Sequence, residues 1–362
     1  MTNGRRTDPD EKPKGCGIRK TIRLITWNVG GIPFLRTPPA LRNEKKREIQ
    51  AEIQRLTETC RPDFVLFQEV VRYNRAGTRS GAEELIVPPP GYHYRSYIAI
   101  NTRRQNHPAK WNPIRSEHAG DWPDEAYLGQ GNGIMWRRDI PHCSIWDYQR
   151  KNASVGPVPE VETIRIDTGL FTGNRDTEPR LAVVTHFVHG PTDRDIFIVN
   201  LHMTTLRGER EGFPEKDSRG SEIRLNQVAI VLNGIVSRYN EWREQQGKTR
   251  SDERAVWILG GDFNATPDSD EIGKIRQMNF MDLCEDARGT GSKRSKYGHR
   301  ASITVDYIFA GPQYFAFDPH QVRRKLRQFR ESDPQPCYGP IYADNIESIS
   351  DHYPVLACFP LA

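Results

Sequence analysis

The 362-residue sequence lacks any apolar run near the roughly 20 residues that a membrane-spanning helix needs. It also lacks a Cys-x-x-Cys pair, an internal repeat and a linker rich in proline, glycine or serine. The first 20 residues include basic side chains but no apolar signal-peptide core, and we expect a disordered tail over residues 1–20. These absences predict a cytoplasmic protein with free thiols, no transmembrane segment and a single folded domain over residues 21–362.

The charge balance is mildly basic, with 52 Lys and Arg residues against 47 Asp and Glu residues and a net charge of +5. This balance permits a polyanionic partner without requiring one. Basic and aromatic residues are mixed in three polar stretches, a composition that suits phosphate neutralisation and stacking on nucleic-acid bases, although a solvated basic face has the same composition. These residues are Arg103, Arg104, Lys110, Trp111, Trp122 and Tyr127; Lys293, Arg294, Lys296 and Tyr297; and Arg323, Arg324, Lys325, Arg327 and Arg330.

Short apolar segments with the composition of β-strands recur along the whole chain. Apolar residues spaced three and four positions apart predict amphipathic helices over residues 41–60 and 221–246, and a shorter helix is predicted over residues 270–278. Strands that alternate with fewer helices favour an α/β or α+β sandwich in which helices cover sheets. The predicted strands span residues 22–27, 64–67, 133–136, 181–184, 196–201, 256–259, 303–309 and 353–359, and polar loop insertions are predicted near residues 92–130, 145–180, 204–220 and 285–300.

One predicted strand ends in an unusual group of polar residues. The apolar run that begins at Val256 stops at two glycines, and Asp262 and Asn264 follow two positions apart. If the extended backbone continues, their side chains point to the same side. A buried carboxylate and carboxamide are costly unless they are paired, so this pattern indicates a bound metal ion, water molecule or phosphoryl oxygen.

Polar residues also lie at or near the ends of the other predicted strands. Each of them alone is explained by a turn or by a satisfied core residue. Their repetition along the chain is harder to attribute to turns, and it indicates one shared site. These residues are Asn28, Glu69, Asn200, His202, Asp306, Asp351 and His352.

Taken together, these short motifs resemble the endonuclease/exonuclease/phosphatase superfamily, which has the DNase I-like fold. The resemblance runs from about Ile22 to Phe359, and the motifs occur in the family order: Thr-Trp-Asn28, Gln-Glu69, Asn-Leu-His202, Gly-Asp262-Phe-Asn264, Asp306-Tyr-Ile-Phe and Ser-Asp351-His352. The resemblance implies a four-layer sandwich in which two mainly antiparallel β-sheets pack together and are flanked by helices. It also implies that the site lies where the motif-bearing strand ends converge.

The residue chemistry fits phosphate-ester cleavage, which requires charge neutralisation, a positioned water and assistance to the leaving oxygen. The oxygen ligands suit Mg²⁺ or Mn²⁺ rather than Zn²⁺. The resemblance implies that Glu69 is the principal metal ligand, with Asn28 and Asp351 nearby. It implies that Asp262 activates the attacking water and that Asn264 holds this water or a phosphoryl oxygen; if these two instead hold a second ion, the site contains two metals.

The two histidines have separate implied roles. His352 donates to the phosphate while Asp306 fixes its tautomer, and His202 binds or protonates the phosphate from the other side. In some relatives the residue equivalent to His202 has a carboxylate partner, but no position in this sequence matches it.

The substrate is open between two chemical classes. Nucleic acid is favoured by the basic and aromatic stretches and by the absence of a membrane-docking segment. The alternative is a phospholipid or small phosphoester, because Gly31-Ile-Pro-Phe-Leu35 is similar to a run in neutral sphingomyelinases; a turn followed by an anchored loop is the structural explanation of the same residues. A catalytically inactive binding protein on this fold is disfavoured because all polar motif positions are intact.

Overall fold

The computed structural model describes residues 21–74, 83–101, 127–138, 140, 161–165, 180–189, 194–204, 220–234, 256–284, 303–311, 338–341 and 349–360. These residues form two mixed β-sheets, here called sheet A and sheet B, and helices. The predicted tail over residues 1–20 and most of the predicted insertions near residues 145–180, 204–220 and 285–300 lie outside the described residues.

Sheet A has seven strands in the order β12-β13-β1-β2-β5-β4, with β3 paired to β2. Strands β1 and β2 run parallel, and every other described pair in this sheet is antiparallel. The bounds are β1 (Thr21–Asn28), β2 (Phe64–Asn74), β3 (Glu83–Glu84), β4 (Tyr92–Asn101), β5 (Tyr127–Arg137), β12 (Tyr338–Pro340) and β13 (Val355–Pro360).

Sheet B has six strands in the order β10-β11-β9-β8-β7-β6. Its described pairs, including that of β7 and β8, are antiparallel except for the parallel pair of β8 and β9. The bounds are β6 (Val161–Arg165), β7 (Leu181–His189), β8 (Arg194–His202), β9 (Val256–Asp262), β10 (Met281–Asp282) and β11 (Asp306–Ala310).

The helices that the described residues show at length are α1 (Gly31–Arg36), α2 (Pro39–Cys60), α3 (residues 220–234) and α4 (Asp270–Gln277). The buried residues Ile49, Ile53 and Leu56 lie on one face of α2, as their spacing predicts. The helix predicted over residues 221–246 is observed over residues 220–234, and its remaining residues lie outside the described ones. Among the described residues, no helix combines the length and the apolar character that crossing a bilayer requires.

The layers follow from the alternation of side chains along each strand. In β1, Leu24 belongs to the core between the two sheets, whereas the adjacent Ile25 packs in the core that includes α2. In β9, Ile258 faces the core between the sheets, and Leu259 packs in the core that includes α3 and α4. The resulting order of helices, sheet A, sheet B and helices confirms the predicted four-layer sandwich.

The predicted bounds of the loop insertion near residues 92–130 are wrong at both ends, because each end lies in a strand. Residues Tyr92–Asn101 form β4, an edge strand of sheet A, and β5 begins at Tyr127. The sequence of β4 carries tyrosine, serine, arginine and asparagine, because an edge strand is only partly buried and keeps polar residues beside its aromatic ones. The short strand β6 likewise lies inside the insertion predicted near residues 145–180.

Candidate active site

The predicted polar residues converge at one edge of the sandwich. Within each sheet a parallel pair, β1 with β2 and β8 with β9, brings two carboxyl-terminal strand ends to the same edge. In sheet B, His202 is paired directly with Asp262, and Asp306 at the start of β11 pairs with Asp262 from the other side. In sheet A, Asn28 at the end of β1 pairs with Gln68. Strand pairing therefore brings His202, Asp262 and Asp306 together in sheet B. It also places Asn28 beside Gln68, the residue that precedes Glu69, in sheet A.

The Asp262 carboxylate lies at the centre of this group and is fully buried. Its Oδ2 atom accepts a 3.0 Å hydrogen bond from Asn28 Nδ2, and its Oδ1 atom accepts a 2.9 Å bond from the backbone N–H of Asn264. The Nε2 atoms of His202 and His352 each lie 3.6 Å from Oδ2. The carboxylate thus has a fixed orientation, and both predicted histidines face the same oxygen.

His352 and Asp306 form a buried pair, with Nδ1 and Oδ2 2.9 Å apart. Since a carboxylate accepts, Nδ1 carries the proton and Nε2 is directed toward Asp262. Trp27 Nε1 donates to the backbone carbonyl of His352 at 3.2 Å, and Ser350 Oγ accepts the His352 backbone N–H at 3.1 Å. These contacts hold the His352 backbone from two sides before β13 begins.

Asn28 joins the two sheets. Its Nδ2 atom donates to Glu69 Oε1 at 3.2 Å as well as to Asp262, while its Oδ1 atom accepts the Gly30 backbone N–H at 3.0 Å. In this arrangement Asn28 orders two carboxylates through its amide nitrogen. Asp351 is at the rim, with a side chain that is 33% exposed and an Oδ1 atom 3.9 Å from His352 Nε2.

Glu69 lies in a β-bulge. The register between β2 and β5 shifts between Phe67 and Val70, so Gln68 and Glu69 together lie opposite a single residue, Asn132. Glu69 has φ 55°, in the left-handed region that is strained for a residue with a Cβ atom. A bulge changes the direction of a side chain, and here it aims a half-buried carboxylate at Asn28.

The Asp262 and Asn264 side chains were expected to point to the same side of an extended backbone, and the structure corrects this expectation. Strand β9 ends at Asp262, and Asn264 has φ 46°, so the backbone does not stay extended between them. The bond from the Asn264 N–H to Asp262 Oδ1 is the local turn that asparagine and aspartate commonly make. Asn264 Nδ2 donates to the Met203 carbonyl at 3.0 Å, which ties this turn to the end of β8.

Arg180 also lies in this cluster, and it was not predicted from the sequence. It is 8% exposed, and its Nη1 atom lies 2.8 Å from Nδ1 and 3.2 Å from Nε2 of His202. A guanidinium has no acceptor and stays protonated, so it offers His202 a donor and a positive charge. In some relatives the residue equivalent to His202 has a carboxylate partner, whereas in this chain His202 lies beside the guanidinium of Arg180.

The donor set fits a divalent cation. Within the described part of the chain, Asp262, Asp306 and His352 form a buried group whose ligand atoms all lie within 4.8 Å of one another. The Glu69 carboxylate shares the Asn28 amide with Asp262, which adds a further hard oxygen on the side of sheet A. Carboxylate oxygens in this number suit Mg²⁺ or Mn²⁺.

Comparisons with known proteins agree with this architecture. Residues 25–352 match the profile of the Endonuclease/Exonuclease/phosphatase family. A family protein from Bacteroides thetaiotaomicron is similar with a TM-score of 0.51 at 14% identity, covering 93% of this chain and 94% of that one. One from Bacteroides vulgatus is similar with a TM-score of 0.50 at 16% identity, covering 94% and 99%. No curated protein matches the chain.

The sandwich and its acidic, histidine-containing edge define a phosphoester hydrolase of the DNase I-like class. The chain belongs to the endonuclease/exonuclease/phosphatase family. Members of this family generally depend on a divalent metal ion.

Proposed function

We propose that this protein is a divalent-metal-dependent phosphodiesterase that cleaves nucleic acid, with DNA or RNA as substrate. The observation that carries the proposal is the position of Asp262, a buried carboxylate that faces two histidines and accepts from Asn28 at 3.0 Å. A base, two phosphate-binding side chains and an acidic cation site within one cluster are the groups that hydrolysis of a phosphodiester needs.

In the proposed reaction Asp262 positions the attacking water and takes its proton. The water oxygen forms a bond to phosphorus, and the ester bond breaks with its electron pair on the leaving oxygen, which takes up a proton from the solvent. Asp262 then releases its proton to the solvent. The hydrogen bonds from Asn28 and from the Asn264 backbone fix the orientation of the Asp262 carboxylate before the substrate binds. Preorganisation of this kind lowers the cost of reaching the transition state.

The histidines and Arg180 bind the phosphoryl group. With Nδ1–H donated to Asp306, a protonated His352 presents Nε2–H on the side of Asp262. His202 approaches from β8, and Arg180 keeps a positive charge beside it. Donors and positive charge at these places stabilise the negative charge that develops on the phosphoryl oxygens.

Glu69 and Asp351 are the proposed ligands of the resident cation, with the Oδ1 atom of Asn28 as a candidate third ligand, while the Asn28 Nδ2 atom orders the Glu69 carboxylate. A bound Mg²⁺ or Mn²⁺ would supply Lewis-acid neutralisation of the phosphoryl charge.

Nucleic acid is proposed as the substrate because of the basic and aromatic stretches in the sequence, which except for Tyr127 lie outside the described residues. The segment shared with neutral sphingomyelinases forms α1, and its Phe34 and Leu35 side chains are buried in the core beside α2. Packing therefore accounts for these two apolar residues without a lipid.

The test is hydrolysis of bis-p-nitrophenyl phosphate by the purified chain with Mg²⁺ or Mn²⁺. We expect EDTA and the Asp262→Asn substitution each to abolish turnover. The Asp268→Asn variant is the matched control, because Asp268 is exposed on the following turn, and it should retain full activity. Undiminished activity of the Asp262→Asn protein would contradict the mechanism.

The substrate is tested separately with a panel of single-stranded DNA, double-stranded DNA, RNA and sphingomyelin vesicles. Cleavage of any of the nucleic acids supports the proposal. Turnover of sphingomyelin without cleavage of any nucleic acid would replace it with the lipid alternative.

A further inference from the structure

Asn200 crosses the interface between the two sheets directly beneath the site. It lies in β8 of sheet B and is fully buried. Its Nδ2 atom donates to two backbone carbonyls of sheet A, that of Phe67 at 3.0 Å and that of Gly133 at 2.7 Å. Its Oδ1 atom accepts from Gln68 Nε2 at 2.7 Å.

These three bonds all meet the β-bulge that contains Glu69. Phe67 and Gly133 are the last residues paired before the register of β2 and β5 shifts, and Gln68 is the first residue of the bulge. A bulge interrupts the ladder of backbone hydrogen bonds, and buried carbonyls beside it need other donors. The Asn200 amide provides two such donors from the opposite sheet.

Gln68 completes the contact from the side of sheet A. It is fully buried, and its Nε2 atom also lies 3.0 Å from Thr26 Oγ1 in β1. Asn132, opposite the bulge, donates to the Leu181 carbonyl at 2.9 Å and so reaches sheet B as well. The bulge is thus held by amide side chains from β2, β5 and β8, at the level where the two halves of the site meet.

The conformation of Glu69 depends on the residues around the bulge. Its left-handed φ of 55° is unfavourable for glutamate and persists only where neighbouring contacts determine it. Gln68 precedes Glu69 in the chain, and Asn200 holds both Gln68 and the Phe67 carbonyl. A shift of these two residues would turn the Glu69 carboxylate away from Asn28, with which it now forms a 3.2 Å bond.

We propose that Asn200 and Gln68 are positioning residues, which hold the bulge in the geometry that directs Glu69 into the site and thereby set the affinity of the site for a divalent cation. The inference rests on the proposed function, in which Glu69 is a ligand of that cation. Neither residue touches the reacting atoms; each acts through Glu69.

The experiment measures Mn²⁺ binding to the purified full-length chain by titration calorimetry, together with the increase in unfolding temperature that Mn²⁺ produces. The variants are Asn200→Leu, which removes all three bonds at similar volume, and Gln68→Met, which removes only the Gln68 amide. We expect the Mn²⁺ dissociation constant to rise at least tenfold in Asn200→Leu and by a smaller factor in Gln68→Met. The Gln68→Met variant keeps the test usable if Asn200→Leu does not fold.

Two further proteins separate positioning from general destabilisation. Val183 in β7 pairs with Asn200, and its side chain is fully buried. Val183→Ala should therefore lower the unfolding temperature and leave the Mn²⁺ dissociation constant unchanged. Glu69→Gln removes the proposed ligand and should abolish the effect of Mn²⁺ on unfolding. If the unmodified chain does not bind Mn²⁺, or if Glu69→Gln binds it equally well, the assignment of Glu69 fails. If Glu69→Gln loses binding but the folded Asn200 and Gln68 variants bind like the unmodified chain, only the positioning inference is overturned.

Discussion

The Nδ1 atom of His352 lies 2.9 Å from Oδ2 of Asp306, and both side chains are buried. The carboxylate holds the proton on Nδ1 and orients Nε2 toward the reaction centre. Asp306→Asn keeps the size of the side chain but can offer its N–H to the ring, which favours the other tautomer. We expect kcat for bis-p-nitrophenyl phosphate to fall by roughly 10²-fold or more.

The control for this prediction is the circular dichroism spectrum, which should be unchanged in Asp306→Asn. A variant that is folded and retains the kcat of the unmodified chain would show that Asp306 does not act through His352.

Arg180 gives a second prediction, since its guanidinium is within 2.8 Å of His202. Arg180→Met removes both the donor and the charge, and a hydrogen bond that involves a charged group contributes about 1.5–3 kcal/mol. We therefore expect kcat/KM to fall by roughly one to two orders of magnitude. Arg180→Lys keeps the charge and should lose less, and steady-state kinetics of the two variants measure the difference. Equal kinetics for Arg180→Met and the unmodified chain would exclude Arg180 from the reaction.

Gly31 gives a third prediction. A Cβ atom at Gly31 would lie 1.9 Å from the carbonyl oxygen of Glu69, which is closer than two non-bonded atoms can approach. Gly31→Ala must therefore displace either α1 or Glu69, and we expect a loss of stability of about 1–3 kcal/mol together with a loss of activity. Urea unfolding and the turnover assay measure the two effects.

The matched control for Gly31 is Gly273→Ala in α4. A Cβ atom at Gly273 would meet nothing within 4 Å, and alanine in a helix interior is more favourable than glycine by roughly 0.5–1 kcal/mol. Gly273→Ala should therefore stabilise the protein and leave turnover unchanged. A Gly31→Ala protein as stable and active as Gly273→Ala would refute the close approach to Glu69.

A fourth prediction concerns alkaline stability. Burial raises the pKa of Tyr73, Tyr94 and Tyr97 above the ordinary value of a tyrosine, and the nearby Glu83 and Glu84 carboxylates add to the effect at Tyr73 and Tyr94 respectively. The unfolded chain releases these phenolic protons near pH 10, while the folded chain retains them. The contribution to the unfolding free energy is therefore complete below about pH 10 and is lost as the pH rises above it.

The measurement is the unfolding temperature between pH 8 and pH 11, compared with that of Tyr94→Phe. This variant keeps the ring and removes the titrating group, so its unfolding temperature should decline less steeply above about pH 10. Identical slopes for the two proteins would show that Tyr94 does not contribute.

Much of the fold was predictable because it depends on local patterns. The apolar spacing in residues 41–60 identifies α2, and the short apolar runs identify most of the central strands. Strand β4 was not predicted, because an edge strand that is half-covered carries no regular apolar alternation. The bulge at Glu69 also has no local signature, since it depends on contacts with Asn200 and Gly31 that are distant in sequence.

The site was predictable in its membership and less so in its geometry. Asp262, Asp306 and His352 were identified as polar residues beside buried strands, and the structure brings them within 4.8 Å of one another. Arg180 follows from the register of β7 and β8, in which Ala182 pairs with Leu201, so the residue before β7 lies beside the end of β8. A hairpin register cannot be read from a sequence whose loop length is not determined, and so this neighbour was missed.

The pairing of β1 with β13 has a consequence for the synthesis of the chain. Thr21 pairs with Pro360 in the middle of sheet A, and Trp27 donates to the carbonyl of His352, which is 325 residues away. During translation β1 therefore lacks this pairing partner until β13 has left the ribosome. Contacts of such long sequence separation slow folding, and the hydrolytic centre can assemble only at the end of that process.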